Sequence, residues 1–228
     1  MQFPAFTTHD MVAMEYRLAT EILHLKHLHA VMGISMGGMQ TFEWIVDYPG
    51  FMDLAMPIVG STRLTAYDLL LWHGEEDAIH ADPAWRGGNY EKNPAIPLAN
   101  LLHDMNLTTP EHYAEDVKRE GFPVRYVSYG LMKADAFDVN DQLYQLEAII
   151  HHDIARGGSM EDAAKIVKAK VLIVPSLQDH MVNPGPAIEF AKLLGAKTFP
   201  LTSNCGHIAF VCDAAKISPV AQAFLDGK

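Results

Sequence analysis

The residues best suited to chemistry lie in Gly33-Ile34-Ser35-Met36-Gly37, a G-x-S-x-G pattern. An apolar segment that begins at Leu28 precedes it, and a helix-compatible segment from Thr41 follows it. A serine at a sharp turn between a strand and a helix is the arrangement of a nucleophile elbow. Glycines suit the flanking positions because side chains there would collide with the strained backbone. The pattern predicts Ser35 as a nucleophile and the backbone N–H of Met36 as an oxyanion donor at the helix N-terminus.

A serine hydroxyl is a weak nucleophile until an imidazole takes its proton and a carboxylate orients that imidazole. Asp179 follows the apolar segment 169–175, which has the composition of a central parallel strand. His207 lies in the loop after the last predicted strand, 197–201. Because reactive groups collect beyond the carboxyl ends of parallel strands, we predict that Ser35, Asp179 and His207 meet as a catalytic set.

Each of these residues also has a purely structural interpretation. A bare G-x-S-x-G arises by chance as a glycine-rich turn with a solvent-facing serine, and Asp179 alone has the position of an aspartate that caps a turn after a strand. Asp153 and Asp213 are the alternative carboxylates, the first on a predicted helix and the second close to His207 in the sequence. The catalytic interpretation is favoured because the three residues occur together at predicted strand ends.

The order of predicted elements indicates an α/β fold with a helical insertion. Thr7 and Asp10 form a capping box for a first helix, whose apolar face is predicted to cover the sheet through Met11, Met14, Leu18, Ile22 and Leu25. Strands are predicted at 28–32, 53–59, 169–175 and 197–201, with helices between them and a C-terminal helix from about Pro219.

Between residues 62 and 166 the sequence predicts helices and loops, and no segment has a convincing strand pattern. We therefore divide the chain into three parts. Residues 1–61 form the first part of an α/β core and contain the elbow. Residues 62–166 form a helical lid insertion, and residues 167–228 form the second part of the core, with Asp179 and His207. Such a lid would shape a substrate pocket and exclude water. A helical dimerisation element is an alternative use of the same segment.

Charge and composition bear on partners and location. The net charge of -11 argues against nucleic acid and anionic membranes as partners. No apolar run approaches the ~20 residues of a membrane span, and the N-terminus has no signal pattern. With only Cys205 and Cys212, no disulfide framework is expected, which predicts a reducing, cytoplasmic location. We predict no metal, because two histidine groups lack a convergent ligand set: His24, His27 and His29, and His151 with His152.

Longer strings of residues carry a resemblance to a known family. These strings are 7–12, 33–40 with Glu43 and Trp44, 48–49, 82–85, 87–90, 137–140, 152–154, Asp179 and 206–207. They resemble the homoserine O-acetyltransferase family of α/β-hydrolase-fold enzymes. In that fold the nucleophilic serine comes first along the chain, the carboxylate second and the histidine last, as Ser35, Asp179 and His207 do here.

The resemblance implies an α/β-hydrolase-like parallel sheet with an inserted helical lid. It also implies transfer of acetyl from acetyl-CoA to the homoserine hydroxyl through an acyl-serine, with Ser35 as nucleophile, His207 as base and Asp179 as its orienter. Acetyl-CoA would then be a co-substrate, and no bound cofactor is implied. The family's lid builds a dimer, which implies a homodimer here.

Two positions depart from the family pattern and affect the expected substrate. Family members carry an aspartate directly after the catalytic histidine, near the substrate amine, where this sequence has Ile208. They also carry a lid arginine for the substrate carboxylate, where this sequence has Asn100. Because neither residue replaces a buried charge partner, an esterase that acts on a small ester is the alternative interpretation.

The resemblance further implies strands before Leu28, and a loop with a second oxyanion donor, that have no counterpart in this sequence. We therefore expect an N-terminally truncated sheet with the elbow strand at its edge. Loss of one oxyanion donor can lower the rate ~10²–10³-fold. A non-catalytic truncated fragment is accordingly the third interpretation.

Overall fold

A parallel sheet with the strand order β1-β2-β3-β4 organises the computed structural model, which describes residues 3–131 and 137–227. The strands are β1 (Leu28–Ile34), β2 (Met52–Ile58), β3 (Lys170–Ile173) and β4 (Lys197–Thr198). Gly33 of β1 lies opposite Pro57 of β2, and every neighbouring pair is parallel. The predicted parallel α/β sheet is confirmed, and the carboxyl ends of its strands share one edge.

Helices flank this sheet and fill the connection between β2 and β3. In the described part of the chain they are α1 (Thr8–Arg17), α2 (Met36–Asp47), α3 (Ala66–Ala81), α4 (Pro97–Leu107), α5 (Pro110–Asp116), α6 (Phe122–Leu131), α7 (Val139–Ile150), α8 (Met160–Ile166), α9 (Gly185–Leu194), α10 (Ala209–Cys212) and α11 (Ala214–Leu225). Helices α3 to α8 all belong to the β2–β3 connection, so this stretch stands outside the sheet.

Two helices begin at reciprocal capping boxes. In α1, the Thr7 hydroxyl accepts from the N–H of Asp10 at 3.2 Å, and the Asp10 carboxylate accepts from the N–H of Thr7 at 2.8 Å. The same exchange occurs between Thr65 and Asp68 at the start of α3, where the Thr65 N–H donates at 2.7 Å. These pairs satisfy N–H groups that a helix start otherwise leaves open, and so fix where α1 and α3 begin.

Two apolar clusters set the position of the site. Helix α2 is buried against the sheet through Phe42 and Ile45, and Phe42 meets Phe190 of α9 edge to face with ring centroids 5.9 Å apart. A second cluster joins α3, α4 and α7 through Leu71, Ala99 and Leu143, among others. The first cluster anchors the helix behind Ser35, and the second holds the helical segment over the strand ends.

The apolar face predicted for α1 is wrong. Met14, Leu18 and Ile22 are 61%, 51% and 68% exposed, whereas Val12 and Ala19 are buried. Val12 and Ala19 are two turns apart and lie on the side of Tyr16, which stacks on Tyr48 with ring centroids 3.8 Å apart. Packing of Tyr16 against Trp44 of α2 and against Tyr48, the residue after α2, therefore decides which side of α1 is buried.

Three further details differ from the prediction. Strand β4 is only two residues long. Helix α11 begins at Ala214 with Pro219 inside it, so proline does not mark its start. Cys205 and Cys212 form a disulfide, because the turn and short helix between them bring their Cα atoms to 6.6 Å. The sequence-based expectation of no disulfide framework did not foresee this bond.

Strand β1 lies at the edge of the described sheet. Met32 and Ile34 on this strand are 41% and 44% exposed. Within the described ranges, no single helix has the length and apolar composition to cross a membrane, although the bent pair Gly206–Cys212 and Ala214–Leu225, at 73°, meets that test jointly.

Candidate active site

Ser35 occupies a strained turn between β1 and α2. Its φ is 57° and its ψ is -120°, a conformation that side-chain-bearing residues rarely adopt. The turn is held at both ends, because the Ser35 N–H donates to the carbonyl of Ile58 at 2.9 Å and its carbonyl accepts from the N–H of Met39 at 3.0 Å. The predicted strand, sharp turn and helix around Ser35 are therefore all present.

The glycines around Ser35 have different roles. A Cβ at Gly33 would lie 2.0 Å from the carbonyl oxygen of Gly37, so only glycine fits there. A Cβ at Gly38 would lie 2.8 Å from the carbonyl oxygen of Ile58 on β2. Gly37 has nothing within 4 Å of its Cβ position, so the expectation that both flanking residues must lack a side chain holds only for Gly33.

The structure brings Ser35, His207 and Asp179 together. The Ser35 hydroxyl oxygen lies 2.8 Å from Nε2 of His207, and Nδ1 of His207 lies 2.7 Å from Oδ2 of Asp179. His207 and Asp179 are 4% and 7% exposed. With the imidazole proton on Nδ1, His207 donates to Asp179 and Nε2 is free to accept the proton of Ser35.

The Asp179 carboxylate is fixed by the backbone that follows it. Oδ1 accepts from the N–H groups of Met181 and Val182, each at 2.9 Å. These two bonds hold one oxygen of the carboxylate in the turn after β3 and leave Oδ2 directed at His207. A turn-capping use and an orienting use are thus combined in one side chain.

His207 is positioned by a constrained turn. Gly206 has a φ of 62°, and a Cβ there would lie 2.9 Å from Cα of Thr108 at the end of α4. The Ser176 hydroxyl donates to the carbonyl of Gly206 at 2.7 Å. Because the Cys205–Cys212 disulfide closes the chain around it, His207 sits in a short cross-linked loop.

The alternative carboxylates have other partners. Asp153 accepts from the N–H groups of Ala155 and Gly157, each at 3.0 Å. Asp213 pairs with Lys216 at 2.6 Å, and this hydrogen bond, outweighing burial, lowers the pKa of Asp213. The carboxylate at His207 is Asp179.

A cavity of about 420 Å³ opens onto Ser35. Met36 and His207 line it beside Ser35, and its walls come from α3, α4 and α7. Met36 is the first residue of α2, where N–H groups lack a helical acceptor. Asn100 also lines the cavity, whereas Ile208 packs against the apolar cluster under the sheet.

Sequence reasoning missed the polar residues of this cavity. Trp72 and Glu75 on α3 and His103 on α4 line it, and Glu75 is fully buried. His103 Nδ1 lies 3.3 Å from Oε1 of Glu75. Burial lowers the pKa of His103, but the hydrogen bond and charge of Glu75, with Asp104, outweigh burial and raise it. The run of polar residues after Trp72 suggests a solvated helix face, so the sequence carries little sign of this burial.

A cluster of charged groups that does not line the cavity brings together side chains of the kinds that bind metal ions. Ligand atoms of His9, Glu43 and Asp47 lie within 4.8 Å of one another. The guanidinium Nη2 of Arg156 lies 2.6 Å from Nδ1 of His9, 2.8 Å from Glu43 and 2.6 Å from Asp47. Arg156 thus supplies the positive charge of this cluster. The histidine groups of the sequence have protein partners, such as Asp53 for His27 and Thr8 for His152.

Comparison with known proteins defines the class to which this chain belongs. A family model described as alpha/beta hydrolase fold matches residues 3–214. Homoserine O-acetyltransferase of Moorella thermoacetica is 31% identical over 99% of this chain and 66% of its own length. The crystal structure of homoserine O-acetyltransferase from Bacillus anthracis matches with a TM-score of 0.89 at 28% identity, over 99% of this chain and 66% of that one. The structure of the acetyl esterase MekB matches with a TM-score of 0.85 at 27% identity, over 98% of this chain and 68% of that one.

The fold is therefore that of the α/β hydrolases. Within that class, the chain belongs to the homoserine O-acetyltransferase family. It spans about half to two-thirds of the length of the curated relatives that it matches.

Proposed function

We propose that this chain carries a serine-nucleophile acyltransferase site that moves an acetyl group from acetyl-CoA to a hydroxyl acceptor. The observation that carries the proposal is the continuous contact from Ser35 through His207 to Asp179, at 2.8 and 2.7 Å. The names of its relatives support homoserine as the acceptor.

In the first half of the proposed reaction, the Ser35 hydroxyl attacks the acyl carbonyl and His207 Nε2 takes its proton. Asp179 stabilises the imidazolium that forms, because Oδ2 accepts from Nδ1. The Met36 N–H stabilises the developing oxyanion, helped by the α2 N-terminus. Collapse of the tetrahedral intermediate expels the thiolate of coenzyme A, which takes the proton from His207, and leaves an acyl-serine.

In the second half, the acceptor hydroxyl attacks the acyl-serine while His207 takes the hydroxyl proton. Collapse of the second intermediate breaks the bond to Ser35, and His207 returns the proton to the serine oxygen. The same residues thus serve both halves, with only the leaving group and the nucleophile exchanged.

An esterase on the same residues is the second candidate, with water in place of the acceptor hydroxyl. The likeness to the acetyl esterase MekB supports it. So do two residues: Asn100 stands in the cavity wall where the family resemblance expects an arginine, and Ile208 packs in the apolar cluster. Neither residue supplies a charge for a zwitterionic acceptor.

The proposal extends to assembly and location. A homodimer formed through the helical segment is supported by the exposure of Leu98, Val124 and Val127, at 54%, 77% and 60%. Such apolar side chains on α4 and α6 suit a contact between copies. Light scattering on the purified chain tests the mass of the assembly. The lack of nucleic-acid and membrane partners remains a prediction from charge and composition. A cytoplasmic location also remains a prediction, and the Cys205–Cys212 disulfide removes the cysteine argument on which it was based.

A comparison of two reactions separates the candidate activities. The first follows release of coenzyme A from acetyl-CoA with and without homoserine, and the second follows hydrolysis of a nitrophenyl acetate. Coenzyme A release that depends on homoserine and is abolished by Ser35→Ala supports the transferase. Ester hydrolysis without acceptor-dependent release supports the esterase.

If neither reaction occurs in a folded chain, the non-catalytic interpretation gains support. The control is Ser218→Ala, because the Ser218 hydroxyl donates to the carbonyl of Ala214 within α11 and Ser218 does not line the cavity. Activity that survives Ser35→Ala would contradict the proposal.

A further inference from the structure

Two residues that line the cavity opening onto Ser35 each have a buried polar atom that lacks a hydrogen-bond partner. They are Nε1 of Trp72 and Oε1 of Glu75, and neither has a hydrogen-bond partner among the residues that the structure describes, although His103 Nδ1 forms an ion pair with Oε1 at 3.3 Å. Trp72 is 4% exposed and Glu75 is 0% exposed. A buried polar atom without a partner costs about 1–3 kcal/mol, and more when it is charged. Both atoms therefore point to a ligand that supplies the missing bonds.

Helix α3 places these two atoms on one face. Trp72 and Glu75 are three residues apart, which makes them neighbours along one side of a helix. One offers a donor and the other offers an acceptor. A single small molecule that both donates and accepts hydrogen bonds would satisfy the two together.

Glu75 is only half satisfied by the protein. His103 on α4 is hydrogen bonded to Oε2 at 3.4 Å, and its Nδ1 lies 3.3 Å from Oε1 without a hydrogen-bond geometry to that atom. The other carboxylate of the cavity wall, Asp104, is paired with Arg125 at 3.2 Å and bonded to Tyr129. Glu75 is therefore the carboxylate in the wall that has an oxygen to offer.

We propose that Glu75 and Trp72 recognise the polar end of the acyl acceptor, and that this end carries an ammonium group beside an oxygen. Glu75 Oε1 accepts from the ammonium, and Trp72 Nε1 donates to the neighbouring oxygen. This inference rests on the proposed function, since the acceptor must share the cavity with Ser35. It also gives the site a charge partner where Asn100 and Ile208 supply none.

An ammonium group is favoured over a neutral hydroxyl because of its charge. A carboxylate is an acceptor only, so its partner must donate, and both groups can do so. Only the ammonium adds the attraction between opposite charges to the hydrogen bond, and that attraction is stronger at a buried site than in water. A purely structural role for Glu75, as a tie between α3 and α4 through His103, is the competing explanation.

The experiment measures binding of serinol and glycerol by titration calorimetry. The two molecules have the same carbon skeleton and differ in one amine against one hydroxyl. We expect Glu75→Gln to weaken serinol binding at least ~10-fold and to weaken glycerol binding much less, because only serinol loses the attraction between opposite charges. Trp72→Phe keeps an aromatic ring and removes the N–H, so it should weaken the binding of serinol and of glycerol equally.

The matched control is Glu76→Gln. Glu76 is the next residue of α3, pairs with His73 at 3.0 Å outside the cavity, and should leave binding of both molecules unchanged. A thermal melt of each variant shows whether it is folded. If Glu75→Gln does not fold, the wild-type preference for serinol and the Trp72→Phe result decide the question.

Three results would overturn the inference. They are equal binding of serinol by the wild type and Glu75→Gln, equal binding of serinol and glycerol by the wild type, and no serinol binding at all.

Fluorophosphonate labelling of the same samples separates this inference from the proposed function. If Ser35 is labelled but serinol binds equally well with and without Glu75, the proposed function stands and the recognition role is refuted. If Ser35 is not labelled but serinol binding depends on Glu75, the recognition role stands and the proposed function is refuted.

Discussion

Asp179→Asn tests how the site sets the tautomer of His207. The Asp179 Oδ1 position accepts from the N–H groups of Met181 and Val182, each at 2.9 Å. In the asparagine variant only the amide oxygen can accept those two bonds, so the amide NH₂ must take the Oδ2 position, which lies 2.7 Å from His207 Nδ1 in the wild type. A donor at that position forces the imidazole to carry its proton on Nε2, facing Ser35.

An imidazole with its proton on Nε2 cannot take the proton of Ser35. The change of one oxygen to an NH₂ group therefore removes general-base catalysis while it leaves the shape of the site intact. The corresponding loss in a serine–histidine–aspartate site is about 10⁴-fold in rate. We expect the same loss here, with a thermal midpoint close to that of the wild type because both backbone bonds survive.

The assay is the pre-steady-state release of nitrophenolate from a nitrophenyl acetate, which reports acylation directly. Asp153→Asn is the control, because Asp153 has no contact with His207 among the described residues. Its two backbone N–H partners, at 3.0 Å, donate to different carboxylate oxygens, so this variant loses one backbone bond but leaves His207 untouched. It should acylate at the wild-type rate. If Asp179→Asn keeps more than about a tenth of the wild-type rate, the tautomer argument is refuted.

Three further changes test the surroundings of the site. Gly33→Ala should destabilise the fold and abolish activity, because its Cβ would lie 2.0 Å from a carbonyl oxygen, whereas Gly37→Ala, with nothing within 4 Å, should melt at or above the wild-type temperature. Reduction of the Cys205–Cys212 disulfide should lower the free energy of unfolding by about 2.5 kcal/mol, and a Cys205→Ser variant that melts like the oxidised wild type would contradict this. The pKa of His103 is raised in the folded chain, so its stabilising contribution is complete below the unfolded value of ~6.5 and is lost as pH rises through the folded pKa. The melting advantage of the wild type over His103→Gln should therefore shrink from pH 5.5 to pH 8.5, and an advantage that grows would show that the sign is wrong.

The elbow and the residues that meet there could be predicted from the sequence because each leaves a local signal. Ser35 needs a glycine two residues before it, and Asp179 and His207 follow predicted strands that run the same way. The Thr7 capping box is equally local and is confirmed. Such features depend on neighbours in the chain and so remain visible without coordinates.

The errors concern contacts between segments distant in sequence. Whether α1 buries Met14 or Val12 is decided by the aromatic side chains of Trp44 and Tyr48, and spacing along α1 alone cannot show this. The burial of Glu75 depends on helix α4 closing over α3, with His103 as its partner. The Cys205–Cys212 disulfide is an exception, because its cysteines are only seven residues apart. It depends on the turn around His207, which the sequence reveals only as a loop.

The central claim is that Ser35 is an activated nucleophile, and one measurement tests it most directly. The folded chain is treated with a fluorophosphonate and its intact mass is compared with that of Ser35→Ala. Stoichiometric labelling of the wild type and none of the variant is the result that the contacts among Ser35, His207 and Asp179 predict. A folded wild type that stays unlabelled, or a variant that is labelled equally, would contradict the claim.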